Sequence, residues 1–149
     1  MSEASRDLLV CAAALLEQGR TVDRLSRPLT AGALIGILVY PAISTQPPLM
    51  PIGFAVLVAL AGLAEAYFAI RVGFDAALFR QLGSGPEEPD FSGTDAVLTR
   101  MGLVSAQKAG RTADARVAGA KRLFRFQILS VTLQVLIVLA GTGLVLMWR

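Results

Sequence analysis

The sequence predicts an all-α integral membrane protein with three transmembrane helices, an N-terminal amphipathic helix and long helical extensions that form a small cytoplasmic bundle. Of its 149 residues, 54% are hydrophobic and only 17% are charged, whereas soluble domains carry about 25% charged residues. Glu65 is the only charged residue from Leu29 to Ile70, and 126–148 contains none. Because crossing ~30 Å of hydrocarbon takes about 20 apolar residues, these runs predict membrane-spanning helices.

Residues 1–27 have the pattern of an amphipathic cytoplasmic helix. Apolar residues recur every three or four positions, with charged residues mostly between them, which is typical of a helix with one buried face. Because this patterned stretch precedes the first long apolar run, we do not expect a secretory signal. The helix either docks on a membrane surface or packs on the protein's own cytoplasmic part, and packing is favoured. Cys11 is expected to be a small buried apolar residue rather than a reactive thiol.

The first apolar run predicts a transmembrane helix over 28–46. Pro28 suits the first turn of a helix, where its missing N–H costs nothing. Gly32 and Gly36 form a G-x-x-x-G pair, a weak but physically sensible signal for close helix packing. The proline-rich segment that follows cannot continue a helix and predicts an external turn over 47–51.

A second, longer helix is predicted over 51–82. About 30 residues at 1.5 Å each give ~45 Å, which exceeds the hydrocarbon thickness. Its last ten or so residues should therefore extend into the cytoplasm. Small residues along one flank are candidates for helix packing: Ala59, Gly62 and Ala66.

The segment 83–93 predicts a loop, because it is rich in glycine and proline. Its carboxylates Glu87, Glu88 and Asp90 are expected to be solvated rather than to bind a metal. Helical pattern then continues, as a basic cytoplasmic helix over 94–124 and a third transmembrane helix over 125–148. Either these form one long helix, or two helices are joined near Gly110 or Gly119.

Charge distribution predicts the orientation. Lys and Arg are concentrated in the N-terminal segment and in 71–125, whereas the turn at 47–51 is uncharged. Since cytoplasmic flanks are rich in basic residues, we expect an inner (plasma) membrane protein with a cytoplasmic N-terminus and an external C-terminus. Trp148 would then lie at the outer interface.

The basic stretch of the third helix lacks interleaved aromatics and any nucleic-acid-binding module. We therefore expect membrane lipids as its partners and no nucleic acid. Headgroup contact is predicted for Lys121, Arg122 and Arg125, although these residues could simply follow the positive-inside rule.

Polar residues inside the predicted spans concentrate at one depth. Glu65 lies six residues, or about 9 Å, inside Arg71. Gln127, Ser130 and Gln134 lie at similar depth and are spaced three and then four residues apart, as on one helical face. Because a carboxylate in hydrocarbon needs a partner, we predict an intramembrane polar layer of Glu65, Gln127, Ser130 and Gln134.

Two classes of function fit this layer. In the favoured class the layer joins helices, and the chain is a non-catalytic structural or assembly subunit, paired with itself or with other membrane proteins. The alternative is an oligomeric proton-conducting, ion-conducting or pore-forming protein that uses Glu65. An enzyme is not expected, because no nucleophile–base pair, phosphate loop or cofactor motif is present. The absence of histidine removes most metal sites, so no metal or cofactor is predicted.

Overall fold

A computed structural model describes residues 3–43, 49–85, 91–102 and 110–147. These residues form five helices: α1 (Glu3–Glu17), α2 (Gly19–Ile43), α3 (Leu49–Ser84), α4 (Phe91–Arg100) and α5 (Ala113–Met147). The acidic residues Glu87, Glu88 and Asp90 lie outside the described residues, as do Trp148 and the first part of the predicted external turn. The end of that turn belongs to α3, which begins at Leu49.

Three helical stretches are long and apolar enough to cross a membrane, as predicted. They are Glu3–Ile43, which joins α1 and α2, then Leu49–Ser84 and Ala113–Leu144. We call 29–43, 49–70 and 126–147 the apolar half of the molecule. The other half, the basal bundle, consists of α1, residues 71–84 of α3 and residues 113–125 of α5.

The chain interrupts its first helical stretch at Gln18, earlier than the predicted boundary after residue 27. The Gln18 carbonyl accepts hydrogen bonds from the Thr21 and Val22 amides and so starts α2. The next residue, Gly19, lies close to the side chain of Gln127, since a Cβ on Gly19 would be 2.8 Å from the Gln127 amide oxygen. Pro28 consequently lies well inside the Gly19–Ile43 helix rather than in its first turn.

A second break separates α4 from α5. Gly102 and Gly110 adopt positive φ angles of 71° and 78°, which glycine adopts without the steric cost that other residues meet. The Gly102 amide donates to the Thr99 carbonyl, closing the end of α4. Within the described residues, the basic segment is therefore not one continuous helix, because it is interrupted at Gly102 and again at Gly110. Gly119 lies within α5 and does not interrupt it.

Both long helices bury residues at alternating spacings of four and three, the pattern of coiled-coil packing. On α3 this seam includes Val58, Gly62, Glu65, Val72, Ala76, Phe79 and Gly83, and on α5 it includes Ala113, Val117, Ala120, Gln127, Val131 and Gln134. Helix α3 packs against α1, α2 and α5 and so lies at the centre of the fold.

The basal bundle has an apolar core. Leu9 and Leu16 of α1 pack with Val72 and Phe79 of α3 and with the start of α5. An ion pair between Glu17 and Arg80 also joins the end of α1 to α3. Cys11 is exposed, contrary to its expected burial. It lies off the face of α1 that carries the buried residues, which are Leu9, Ala12, Ala13 and Leu16.

Helix α4 is held on the basal bundle by Asp95 and Arg116. The Arg116 guanidinium donates to Asp95 Oδ2 over 2.6 Å and lies 5.1 Å from the centre of the Phe91 ring. The Gly110 amide donates to the same carboxylate oxygen. Burial opposes ionisation of Asp95, but the hydrogen bonds from Arg116 and Gly110 outweigh it and hold the pKa of Asp95 below its usual range.

Candidate functional site: a polar cluster between three apolar helices

A buried group of polar side chains lies between α2, α3 and α5, at the end of the apolar half that adjoins the basal bundle. We call it the polar cluster: Ser26 and Thr30 of α2, Glu65 of α3, and Gln127 and Gln134 of α5. Glu65, Gln127, Gln134 and Ser26 are each at most 1% exposed. A buried polar group costs free energy unless it has a hydrogen-bond partner. The partners of each group therefore define what the cluster does.

Gln127 joins α5 to both other helices. Its amide nitrogen donates to Glu65 Oε1 of α3 and to the carbonyl of Gly19 at the start of α2, both over 2.8 Å. The two N–H bonds of the amide are thereby used, which sets the orientation of the side chain. Glycine at position 19 leaves room for this contact, because a Cβ would meet the Gln127 side chain.

Gln134, two turns further along α5, makes a second three-helix junction. Its nitrogen donates to Thr30 Oγ1 over 2.9 Å and to the Val58 carbonyl of α3 over 3.3 Å. Its oxygen accepts a hydrogen bond from Ser26. Since every polar atom of this amide has a partner, Gln134 ties α2, α3 and α5 together without leaving an uncompensated group.

Gly62 allows the helices to approach at the second junction. A Cβ on this residue would lie 1.9 Å from Thr30 Oγ1 and 2.8 Å from the Gln134 nitrogen. Real Cβ atoms essentially never make contacts this short, so position 62 excludes a side chain unless its neighbours move. The small residue on α3 thus makes space for the hydrogen bonds between α2 and α5.

The structure brings together three of the four residues predicted for the polar layer: Glu65, Gln127 and Gln134. Ser130 does not join them. Its hydroxyl donates to the Phe126 carbonyl one turn back on α5. The buried seam advances by four and then three residues, so Val131 occupies the position between the glutamines. Ser130 lies to one side of the seam, since each residue turns the helix by about 100°.

The predicted packing residues fall into two groups. Ala59 and Gly62 are buried, and Ala66 is partly buried. Gly32 and Gly36 are different, because no described atom of another element lies within 4 Å of where their Cβ atoms would be. Of the three predicted glycines, Gly62 is therefore the one that mediates close approach between described helices. The predicted role of Gly32 and Gly36 in helix packing stays a prediction.

The predicted headgroup residues Lys121, Arg122 and Arg125 are all exposed, on the part of α5 that precedes the apolar half. The α2 residues of the cluster, Ser26 and Thr30, were missed in the sequence. They lie near the predicted start of the first span, at residue 28. The sequence does contain an indication of their shared role, since Ser26 and Thr30 are four residues apart and so lie on the same face of α2.

A groove of 540 Å³ runs between α2 and α3 beside the polar cluster. Glu65, Ser26 and Thr30 line it, and Arg20, Asp23 and Arg27 lie toward the basal bundle. Asp23 and Arg27 form an ion pair with each other. The Glu65 side of the cluster thus adjoins a space that charged residues border. No group of metal-binding side chains occurs in the described part of the chain.

Fold and cluster together define a helical protein with three helices capable of spanning a membrane, held together at one level by buried hydrogen bonds. Comparisons with family models, with curated proteins and with solved structures find no match to this chain. The interpretation of its function therefore depends on the chemistry of its own residues.

Proposed function

We propose that the protein is a non-catalytic inner-membrane protein that acts as a structural or assembly subunit of a membrane complex. The observation that carries this proposal is the pair of three-helix junctions at Gln127 and Gln134. Each amide bridges α5 to α2 and α3. Apart from the Gln127 oxygen, which has no hydrogen-bond partner among the described residues, the polar atoms of these amides are engaged in holding helices, which is how membrane proteins use buried polar residues as glue.

Insertion is supported by the three apolar helices, by their length and by the distribution of charge. Large apolar side chains face outward from the apolar half, including Leu38 at 77% and Ile43 at 73% exposed. In water such a surface would be costly, whereas lipid tails or neighbouring helices cover it at no cost. Basic residues are concentrated toward the basal bundle, which supports a cytoplasmic location for that end and for the N-terminus.

A subunit role, for self-association or a complex with other membrane proteins, is favoured because one chain leaves these surfaces without a protein partner. The outer parts of α2, α3 and α5 border an apolar groove of 530 Å³, with Gly32 and Gly141 among its lining residues. The basal bundle offers a separate helical surface in the cytoplasm. Lys121, Arg122 and Arg125 are proposed to contact lipid headgroups at the boundary.

Replacement of Glu65 tests whether the cluster acts as glue. Glu65→Gln keeps the acceptor for the Gln127 amide, so the variant should assemble and co-purify like the native chain in mild detergent. Glu65→Leu removes the acceptor and leaves one Gln127 N–H unpaired, so assembly should be impaired. The exposed Tyr67→Leu variant is a matched control. A Glu65→Leu variant that assembles as well as the control would contradict the proposal.

A second candidate function is proton or ion transfer, favoured by one observation. Glu65 adjoins the groove between α2 and α3, and charged residues border that groove toward the basal bundle. Such a path would deliver a proton to Glu65 from the cytoplasmic side. It predicts that proteoliposomes show a proton flux that Glu65→Gln abolishes while assembly persists. Equal flux for the native and Gln variants would exclude this function.

A further inference from the structure

A third groove, between α3 and α5, lies where the apolar half meets the basal bundle. It has a volume of 650 Å³. The α3 wall runs from Tyr67 to Phe79, and the opposite wall runs from Arg111, just before α5, to Leu123 of α5. Leu98 of α4 borders it as well. This α3–α5 groove is separate from the polar cluster.

The groove exists because α5 presents small residues to it. Ala115 and Gly119 line the α5 wall. No atom of another described element lies within 4 Å of where a Gly119 Cβ would be. Gly119 has an ordinary helical backbone, so no turn or positive φ requires glycine there. The missing side chain therefore leaves space that a larger residue on α5 would fill.

Positive charge dominates the lining. Four arginines line the groove, Arg71 from α3, Arg111 just before α5, and Arg116 and Arg122 from α5, against the single carboxylate of Asp75. Arg116 is bound to Asp95 and contributes little free charge. Arg71 lies 5.8 Å from the centre of the Tyr67 ring, which positions it at the edge of the apolar half. Arg71, Arg111 and Arg122 thus exceed the local negative charge.

The lining of the groove also changes from mainly apolar at one end to charged at the other. At one end its lining is Tyr67, Ile70 and Leu123, and at the other it is Arg111 with Leu98. An occupant that fits both ends carries an apolar part and a negative part. Guanidinium groups bind phosphate oxygens through paired N–H donors, better than a lysine ammonium does. An anionic phospholipid has both features, with its phosphate next to its acyl chains.

We propose that the α3–α5 groove binds the phosphate headgroup of an anionic phospholipid through Arg71 and Arg122, which lie at the end of the groove next to the apolar half. The site combines cations from two helices around a space made by Gly119. It is therefore more specific than the exposed basic stretch that includes Lys121 and Arg125. The inference rests on the proposed membrane insertion, but it goes beyond the subunit role by assigning a ligand class.

The test uses the full chain reconstituted in phosphatidylcholine vesicles that contain spin-labelled phosphatidylglycerol or, for comparison, spin-labelled phosphatidylcholine. The immobilised fraction of each label measures relative association. We expect clear selectivity for phosphatidylglycerol. Arg71→Gln and Arg122→Gln should each weaken this association about fivefold, the equivalent of about 1 kcal/mol per basic residue near a membrane surface. Gly119→Leu should abolish the selectivity by filling the groove.

Matched variants distinguish binding in the groove from general electrostatic attraction between anionic lipid and basic residues. Arg24→Gln removes the same charge from an exposed position on α2 that does not line the groove, and it should change association by less than about twofold, because only diffuse attraction is lost. Gly143→Leu adds the same side chain where the surroundings are also open, and it should leave selectivity intact. Losses as large for Arg24→Gln as for Arg71→Gln would overturn the proposal.

Asp75→Asn is a control for the possibility that the other variants lose lipid association because they misfold. It removes the competing carboxylate and should tighten association several-fold, a gain that a damaged protein cannot produce. Unchanged or weaker association would count against the site. Displacement of the label by soluble glycerol 3-phosphate would identify a site for free phosphate compounds and overturn the lipid assignment.

Flotation of the native chain with phosphatidylcholine vesicles distinguishes failure of this inference from failure of the proposed function. If the chain inserts but shows no lipid selectivity, the result contradicts the proposed lipid site and leaves the proposed subunit role intact. A chain that does not float loses membrane insertion itself.

Discussion

The basal bundle and the apolar half use the same helix geometry with opposite chemistry. In both, α3 and α5 present residues at alternating four- and three-residue spacing. In the basal bundle these positions hold Val72 and Phe79. In the apolar half they hold Glu65, Gln127 and Gln134. The same seam therefore joins helices by apolar burial in the basal bundle, whereas in the apolar half hydrogen bonds add to the packing of Val58 and Val131.

This difference follows from the solvent proposed for each region. In water, removal of apolar surface drives association at about 25 cal/mol per Å². In lipid that driving force is absent, because the surrounding tails are as apolar as the side chains. Hydrogen bonds and close backbone approach then hold helices together. The polar cluster, with Gly62 beside it, supplies both of these in the apolar half.

The largest expected effect is on the apolar core of the basal bundle. Phe79 is 2% exposed and packs within that core. Phe79→Ala should lower the free energy of unfolding by about 3–5 kcal/mol, because it removes buried surface and leaves a cavity. Denaturant unfolding followed by circular dichroism measures the change. Phe74→Ala is the control, since Phe74 is 45% exposed, and a loss as large there would contradict this assignment of the core.

Gly62→Ala should disrupt the apolar half. The added Cβ would meet Thr30 and Gln134, and forcing apart a packed contact costs about 1–3 kcal/mol. Gly36→Ala is the matched control, because its added Cβ meets no described neighbour. We expect detergent unfolding to show destabilisation for position 62 only. Equal tolerance at both positions would show that α2 and α3 do not approach as described.

A smaller effect is expected when one junction loses its hydrogen bonds. Gln134→Leu keeps the approximate volume of the side chain but removes its bonds to Ser26, Thr30 and the Val58 carbonyl. Interhelical hydrogen bonds in membranes contribute about 0.6–2 kcal/mol, so a loss in this range is expected in detergent unfolding. The exposed Thr132 hydroxyl donates to the Ile128 carbonyl of its own helix and, among the described residues, makes no bond to another helix. Thr132→Val should therefore cost less than Gln134→Leu, and the reverse order would refute the junction.

The smallest effect concerns only α4. Because the pKa of Asp95 is depressed by Arg116 and Gly110, its ionised form stabilises the docked helix. This contribution is complete above the usual pKa of an aspartate, about 3.9, and is lost as pH falls through the lower folded-state value. The protection of α4 amides from hydrogen exchange, measured relative to their intrinsic exchange rates at each pH, should therefore fall below about pH 4.

Asp95→Asn provides the control for this pH effect. Its α4 amides should exchange faster already at neutral pH, and their exchange should depend less on acid. An unchanged acid response in the Asn variant would assign the effect to another group.

Much of the fold can be predicted from sequence, because apolar runs with almost no charge require membrane-length helices. Glu65, Gln127 and Gln134 could be found for the same reason, since polar residues are conspicuous among apolar ones. The start of α2 could not be predicted from the sequence, because helical periodicity continues across Gln18 and Gly19. That break depends on the contact between Gly19 and Gln127, which is 108 residues away.

Ser130 is predicted in the polar layer from its spacing to Gln127 and Gln134, and this shows that spacing alone does not identify the buried position. Positions three and four residues apart both lie near one face of a helix. Only the partner helices decide between them, and here they select Val131. Extending the four–three alternation along the whole of α5, from Ala113 to Gln134, would have identified the buried position. Ser26 and Thr30 required knowledge of which face of α2 meets α3 and α5.

A double-mutant cycle between Glu65 and Gln127 most directly tests whether hydrogen bonds join the helices of the apolar half. The free energies of unfolding of Glu65→Leu, Gln127→Leu and the double variant would be measured in mixed micelles. The 2.8 Å contact between these side chains predicts a coupling energy of about 1 kcal/mol. Strictly additive losses would contradict a role of this pair in holding α3 against α5.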